Sequence, residues 1–172
     1  MDASLAIASK RDVRAYSPRP VPEEVAARIL DAGRLTGSAR NRQPWRFVVT
    51  ESETLRAAIA TAVYAPANIV GAPLAVTLVV TPGGGLVDFD AGRAAQNMMI
   101  AAWSEGVASC PNGVADPSRL VELLGLHEDE RPVVVLGFGY AARPQDPSRR
   151  SAAAWSRRAL RMPLEALVRR LP

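Results

Sequence analysis

Two continuous runs of apolar residues constrain the fold of this chain more than any other feature of its sequence. Residues 73–81 read PLAVTLVVT and residues 132–138 read PVVVLGF, and both are rich in β-branched side chains. Neither run alternates with polar residues, as a strand with one face in water would. Each run therefore predicts a strand that is covered on both faces.

The strongest helical pattern in the chain begins at Asp90. Its apolar residues recur at helical spacing, and Ile100, Ala101 and Trp103 add apolar surface around them, which predicts a central, nearly buried helix ended by Gly106. The predicted stripe consists of Ala91, Ala94, Ala95, Met98, Met99 and Ala102.

Strands alternate with helices along the rest of the chain, which indicates a single α/β or α+β domain. Further helices are predicted over Ala3–Ser9, from the PVPEEV start signal to about Leu35, over 52–63, over Pro117–Leu124 and over 163–171, with strands over Trp45–Thr50 and 107–110. Residues 141–161 are polar, rich in arginine and predicted to be irregular. Because such a stretch is unusual inside a compact domain, we expect an arm over 141–172 that contacts another subunit.

The composition favours a cytoplasmic protein. No apolar stretch reaches the 18 residues or so of a membrane span, and no basic segment precedes an apolar run at the N-terminus, as in a secretory signal. The chain holds one cysteine, which suits a reducing compartment. Lys10 is the only lysine among 21 basic residues, the net charge is +4 and 5% of the residues are aromatic. We therefore expect most arginines to be solvated, and no nucleic-acid partner.

Side-chain chemistry alone offers little for catalysis. The chain has one histidine and one cysteine, so it lacks the ligands of a zinc site; His127 is expected in solvent and Cys110 as a small buried residue. Gly83, Gly84 and Gly85 do not fit the G-x-G-x-x-G spacing of a dinucleotide fingerprint and predict a flexible loop. We expect no catalytic side chain and no metal, so an enzyme of this sequence would depend on a bound cofactor.

Two segments could hold such a cofactor. Lys10, Arg11 and Arg14 could bind phosphate, and Arg11 and Arg14 would share a face if the segment were helical. The alternative is a charged, solvated helix end. In the stretch GSARNRQPWRF, the short polar groups of Ser38, Asn41 and Gln43 could contact a flat ligand, or could belong to an ordinary helix-to-strand turn.

Taken together, the segments are similar to the motifs of the nitroreductase family, in the family's order and over nearly the whole chain. The matching segments are KRDVRAY, PVPEEV, TGSARNRQPWRF, APLAVTLVV, DAGRAAQNMMIAA, GVASCPNG, VVVLGFGY and RMPLE. The resemblance implies an α+β sandwich with a mixed central sheet flanked by helices. It also implies a homodimer with a swapped C-terminal arm, FMN at the subunit interface, and NAD(P)H as co-substrate.

The resemblance also assigns cofactor-binding roles to individual residues. Those for the phosphate and ribityl groups are Lys10, Arg11, Arg14 and Arg161; those for the ring are Ser38, Ala39, Asn41, Gln43, Asn68, Asn112 and Gly113. The chain departs from the family at Gly37, where proline is usual, and at Asp12, where serine is usual. It is also a short member, because residues 48–89 lack the length of many relatives.

Four functions are compatible with these motifs. The first is reduction of a nitro compound, quinone or similar small acceptor by NAD(P)H through FMN. The second keeps the fold and the flavin but changes the reaction to dehalogenation, flavin destruction or azoline oxidation. The third is a non-enzymatic dimer that binds a flavin or deazaflavin. The fourth is an arginine-rich nucleic-acid binder.

Overall fold

The two apolar runs form the inner strands of a four-stranded sheet, as their composition predicts. In this computed structural model the strands are β1 (Trp45–Thr50), β2 (Leu74–Val80), β3 (Ala108–Gly113) and β4 (Arg131–Gly139), in the order β1-β2-β4-β3. All three neighbouring pairs are antiparallel, so the expectation of a mixed sheet is wrong for the strands of one chain. A parallel pairing occurs as an isolated bridge between Asp12 and Ser109.

The structure describes residues 1–82 and 84–171. Gly83 of the predicted glycine loop and Pro172 at the end of the predicted arm lie outside them. The helices are α1 (Ala3–Ser9), α2 (Glu23–Arg34), α3 (Glu53–Ala60), α4 (Ala67–Val70), α5 (Val87–Ser104), α6 (Pro117–Leu124), α7 (Ala152–Arg158) and α8 (Leu164–Leu167), with 3-10 turns at Ala39–Asn41 and Pro147–Arg149. No helix in these two ranges combines the length and apolar character that a membrane crossing requires.

The chain divides into two compact units, residues 11–144 and residues 1–10 with 145–171. In the larger unit, helices cover both faces of the sheet. One face carries even-numbered side chains of β2 and β4, such as Val76 and Leu136, which pack with α2 and α5. The opposite face carries Ala75 and Val135, which pack with residues of α3, α4 and α6. Both inner strands are thus covered on both faces, which confirms their prediction.

The apolar stripe of α5 is buried as predicted: each of its six residues is at most 6% exposed. The helix as a whole is less buried than expected, because Gly92, Arg93, Gln96 and Asn97 form an exposed face. Gly33 of α2 permits a close approach of α2 to Met98 of this helix and to Phe47 of β1. A Cβ atom at Gly33 would lie 2.9 Å from Met98 Sδ and 2.7 Å from Phe47 Cζ.

In the smaller unit, α1 packs on α7. The prediction that 141–161 is irregular is wrong over α7, because Ser151 caps the helix by accepting a hydrogen bond from the Ala154 N–H, and alanine favours the helix that follows. The last residues carry apolar side chains in solvent, including Leu160 (92% exposed) and Leu164 (72% exposed). An exposed apolar segment of this kind is typical of an interaction surface.

Candidate functional site

The loop that joins α2 to β1 holds three non-glycine residues in the left-handed backbone region. Their φ angles are +54° at Arg40, +55° at Asn41 and +51° at Gln43. This conformation is uncommon outside glycine and is found disproportionately at functional sites. Three such residues within four positions single out this loop, which also contains Ser38 and Ala39.

Short polar groups hold the loop in this shape. Ser38 Oγ accepts a hydrogen bond of 2.8 Å from the Gln43 N–H, and Gln43 Nε2 donates to the carbonyl oxygen and to Oδ1 of Asn41 at 3.3 and 3.2 Å. The loop therefore brings Ser38, Ala39, Asn41 and Gln43 together, as the sequence predicts. Asn41 and Gln43 are exposed, and Ser38 and Ala39 are half-buried.

Helix α5 anchors the loop through two polar residues that the site prediction did not include. Asp90 is 3% exposed, and its Oδ2 accepts a 2.9 Å hydrogen bond from the Ala39 N–H. Two helical turns later, Asn97 Nδ2 donates to Thr36 Oγ1 at 2.7 Å, at the entrance to the loop. The seven-residue spacing places both on one side of the helix, beside its apolar stripe. The one signal in the sequence is an aspartate at the helical spacing of the apolar stripe, four residues before Ala94.

Strand β1, which follows the loop, forms one edge of the sheet. A groove of about 580 Å³ lies between α2 and this edge, lined by Leu30 and Arg34 from α2 and by Gln43, Trp45 and Phe47. Among residues 1–82 and 84–171, no strand pairs with the outer edge of β1. The main-chain groups along that edge are therefore available to another segment.

Asn68 and Asn112 lie together, but inside the protein. Asn68 is 6% exposed and donates from Nδ2 to Asn112 Oδ1 at 2.8 Å. Asn112 is 2% exposed and donates from Nδ2 to the carbonyl oxygens of Cys110 and Val135 at 3.2 and 3.3 Å. The Asn112 amide thus uses both its oxygen and its nitrogen to join α4, β3 and β4.

Gly113, the other predicted contact on β3, is exposed. The ring of Tyr64 lies over it, and a Cβ atom at Gly113 would stand 3.1 Å from Tyr64 Cδ2. The Tyr64 N–H donates to the Gly113 carbonyl oxygen at 3.1 Å, which fixes the two residues side by side. The Gly113 main chain is the part of this predicted group that is accessible.

The segment with Arg11 and Arg14 is extended, not helical. Asp12 bridges to Ser109, and the Val13 N–H donates to the Ser109 carbonyl oxygen at 3.1 Å. Residues three apart on an extended chain point to opposite sides, so the helical condition under which Arg11 and Arg14 would share a face is not met. Arg11 is half-buried and Arg14 exposed in the larger unit, whereas Lys10 and Arg161 belong to the smaller one.

Two groups that could transfer protons or electrons make contacts within the protein: Tyr16 is half-buried and Cys110 is buried. Burial, together with the nearby Cys110 and Asp12, raises the pKa of the Tyr16 phenol well above its usual range. Its hydroxyl donates to the Gly137 carbonyl oxygen at 3.2 Å. Cys110 is 2% exposed, in agreement with its prediction as a buried apolar residue, and His127 is exposed as expected. None of the three is placed as a catalytic acid, base or nucleophile.

The profile of the nitroreductase family matches residues 7–81 and 86–140. The chain belongs to the nitroreductase family. A relative from Methanothermobacter thermautotrophicus, provisionally named an NADH dehydrogenase/NAD(P)H nitroreductase, is 32% identical over 152 residues, which cover 83% of this chain and 78% of the relative.

Solved structures share the nitroreductase fold. A nitroreductase family protein from Clostridium difficile 630 superposes with a TM-score of 0.82 at 27% identity and covers 98% of each chain. An FMN-dependent nitroreductase from Clostridium difficile R20291 has a TM-score of 0.76 at 19% identity, covering 86% of this chain and 94% of that one. The α+β fold expected from the motifs is thereby confirmed.

The donor set of the nitroreductase chain fits a flavin mononucleotide in part. Guanidinium groups suit phosphate, and the exposed amides and half-buried hydroxyl of the α2–β1 loop suit the polar edge of a flat ring. The amides of Asn68 and Asn112 do not fit as ring contacts, because each already bonds within the protein. Gly113 has an exposed main chain instead.

Proposed function

We propose that this nitroreductase family member is an FMN-dependent oxidoreductase that moves hydride from NAD(P)H through the flavin to a nitro compound, a quinone or a similar small acceptor. The observation that carries this proposal is the α2–β1 loop, with three left-handed residues in four positions and a buried aspartate holding it. A structural turn does not need this geometry, since glycine would adopt it at lower cost. Non-glycine residues held in this conformation cluster at active sites and ligand clamps.

The residues of the chain would bind and orient the cofactor. Because Arg11 and Arg14 point to opposite sides of their segment, Arg14 would hold the phosphate and Arg11 the ribityl group, and Lys10 and Arg161 are further proposed phosphate ligands. Ser38, Ala39, Asn41 and Gln43 would face the polar edge of the ring. When bound, FMN supplies the chemistry, because it accepts a hydride and passes the electrons on. Gly113 would contact the ring through its main chain, while Asn68 and Asn112 would position the strand that carries Gly113.

Such a reaction needs little acid–base chemistry from side chains. The protein would contribute position, a polar loop at one edge of the ring and exclusion of water. Tyr16 is not needed as an acid or base in this reaction. Burial raises the pKa of its phenol, and the neutral hydroxyl donates a hydrogen bond to the Gly137 carbonyl oxygen. Its role is to hold the start of the chain against β4.

The same proposal includes a homodimer in the cytoplasm. The outer edge of β1 and the groove beside it are open, and the C-terminal arm exposes Leu160, Met162, Leu164 and Leu167. A second copy of the chain would cover both surfaces if its arm lay along β1. Sedimentation analysis tests this directly: a monomer at micromolar concentration would contradict the dimer.

The absorbance spectrum of the purified protein, recorded without oxygen before and after NADPH or NADH is added, tests the proposed reaction. We expect a yellow protein whose visible flavin absorbance is bleached by the nicotinamide, because a flavin accepts its hydride. Protein that remains colourless after FMN is added would contradict flavin binding. Bound flavin that neither nicotinamide reduces would contradict the proposed reaction and favour either a different flavin reaction or a non-enzymatic flavin-binding dimer.

A further inference from the structure

A small basic cavity adjoins the α2–β1 loop and shares no lining residue with the β1 groove. It has a volume of about 210 Å³, and Arg40, Arg42 and Pro44 line one side of it. Residues from Gly84 to Val87, where α5 begins, and Asp90 complete the lining. Typical pockets for whole small molecules measure roughly 300–1,000 Å³, so this cavity is suited to one group of a larger molecule.

The charge of the cavity is set by its two arginines. Arg40 is exposed and, within residues 1–82 and 84–171, has no carboxylate partner. Asp90 contributes one negative charge against the two guanidinium groups and is itself paired with Arg93 at 3.3 Å, so the cavity remains basic. Guanidinium groups bind oxyanions in a fixed fork, and two of them lining one cavity favour a phosphate or a carboxylate.

The backbone places both arginines at this cavity. Arg40 has its left-handed φ of +54° in the middle of the loop, between Ala39 and Asn41, which are both predicted ring contacts. Arg42 extends toward the start of α5, and a Cβ atom at Gly84 would lie 3.1 Å from its Nη1. Gly84 itself has a φ of +98°, so glycine leaves room for this guanidinium and also allows the turn beneath it.

We propose that Arg40 and Arg42 form an anion subsite that selects substrates carrying a phosphate or carboxylate group. The group would come either from the electron donor, as the 2′-phosphate that distinguishes NADPH from NADH, or from the acceptor, as the carboxylate of an aromatic acid. The inference rests on the proposed flavin-dependent function, because the loop that carries both arginines is also the proposed ring-binding loop. The subsite would set specificity without taking part in hydride transfer.

Kinetic selectivity tests the subsite. The chain would be compared with Arg40→Gln and Arg42→Gln, and with Arg119→Gln as a control that removes one positive charge from α6, where Arg119 pairs with Glu122. One arm compares kcat/KM for NADPH and NADH, and the other compares 4-nitrobenzoate with uncharged nitrobenzene. Losing one charge-assisted contact should lower kcat/KM about tenfold to hundredfold for the substrate that carries the recognised anion, NADPH or 4-nitrobenzoate. For its counterpart without that group, NADH or nitrobenzene, kcat/KM should change less than about twofold.

The pattern of losses identifies the source of the anion. A fall confined to NADPH assigns the subsite to the donor, and a fall confined to 4-nitrobenzoate assigns it to the acceptor. Selectivity that is unchanged in both arms, or that Arg119→Gln alters equally, overturns the subsite. FMN affinity should stay the same in all variants, so a general disruption of the loop would be visible as lost flavin.

Calorimetric titration separates failure of the subsite from failure of the proposed function. The probes are 2′-AMP against adenosine, and 4-nitrobenzoate against nitrobenzene. If the protein reduces nothing but binds the anionic probes, and the Arg40→Gln/Arg42→Gln double variant loses that binding, the subsite stands and the oxidoreductase fails. If the double variant binds the anionic probes as the unaltered chain does, or if neither binds them, the subsite is overturned.

Discussion

Asn41 and Asn112 were both predicted to contact the flavin ring, yet one amide is exposed and the other is buried. Asn41 is exposed in the α2–β1 loop, and within the described part of the chain its Nδ2 has no hydrogen-bond partner. Asn112 is 2% exposed on β3, and it donates to two carbonyl oxygens while it accepts from Asn68. The first amide can still bind a ligand, whereas the second is part of the internal structure.

This contrast separates two uses of the same residue type. A buried amide that is fully bonded stabilises the fold, because removing it leaves its partners unpaired away from water. An exposed amide on a left-handed backbone carries strain that the surrounding structure offsets, and part of the amide stays available to a ligand. Stability and ligand affinity should therefore respond in opposite ways when the two regions are changed.

The largest expected effect is on stability, at the buried pair. Asn112→Ala removes one acceptor and two donated hydrogen bonds, and we expect the free energy of unfolding to fall by about 3 kcal/mol. Urea denaturation measures it, and Asn41→Ala is the matched control, with an expected loss of about 1 kcal/mol or less. Flavin affinity of the folded Asn112→Ala protein should fall less than that of Asn41→Ala, because Asn112 would act on the ring only through the strand that carries Gly113. Equal losses of stability in the two variants would remove the distinction between the regions.

The second-largest expected effect is at Asp90, which anchors the exposed α2–β1 loop to α5. Asp90→Ala leaves the Ala39 N–H without its acceptor, and we expect a loss of about 2 kcal/mol in unfolding free energy together with weaker FMN binding. Asp90→Asn is the control, because its amide oxygen can still accept from Ala39. Thermal melting and flavin titration measure the two quantities. A stable Asp90→Ala protein with normal flavin affinity would show that the loop does not depend on α5.

A substitution of Arg14 tests whether this exposed cation contributes to FMN binding. It makes no ion pair within the residues that the structure describes. We expect Arg14→Ala to weaken FMN binding by about 1.5 kcal/mol, roughly tenfold, the lower end for a charge-assisted contact because the side chain is exposed. Fluorescence titration of FMN measures the change, with Arg119→Ala as a charge control. Unchanged affinity would remove Arg14 from the phosphate site.

The strands and the central helix could be predicted from the sequence because burial there depends on local composition. The runs at 73–81 and 132–138 became the two inner strands, and all six residues of the stripe on α5 are buried. Helix α7 could not be recognised from charge and polarity, because a single serine cap and three alanines outweigh the arginines around them. Sequence spacing likewise could not reveal that Arg11 and Arg14 lie on an extended segment, since the bridge to Ser109 is long-range.

The sequence predicted the site as one group of polar residues. Their hydrogen bonds separate this group into an exposed loop and a buried pair of asparagines. Ser38, Ala39, Asn41 and Gln43 come together in one loop, because Ser38 and Gln43 bond across it. The burial of Asn68 and Asn112 depends on the approach of α4 to β3, which no local pattern encodes. The role of Asp90 likewise required the position of the Ala39 N–H, 51 residues away along the chain.

The smallest expected effect is on FMN affinity at Asn41, where two substitutions separate the contribution of the side chain from that of the backbone. Asn41 has a φ of +55°, so Asn41→Ala removes an amide and also adds steric strain, whereas Asn41→Gly removes the amide and relieves the strain. We expect both variants to lose about 0.5–1.5 kcal/mol of FMN affinity, the value of one neutral hydrogen bond, while only Asn41→Ala also loses stability. Flavin titration beside thermal melting distinguishes the two effects. If Asn41→Gly binds FMN normally, the amide is not a ligand contact, and the loop would act through its main chain as Gly113 is proposed to do.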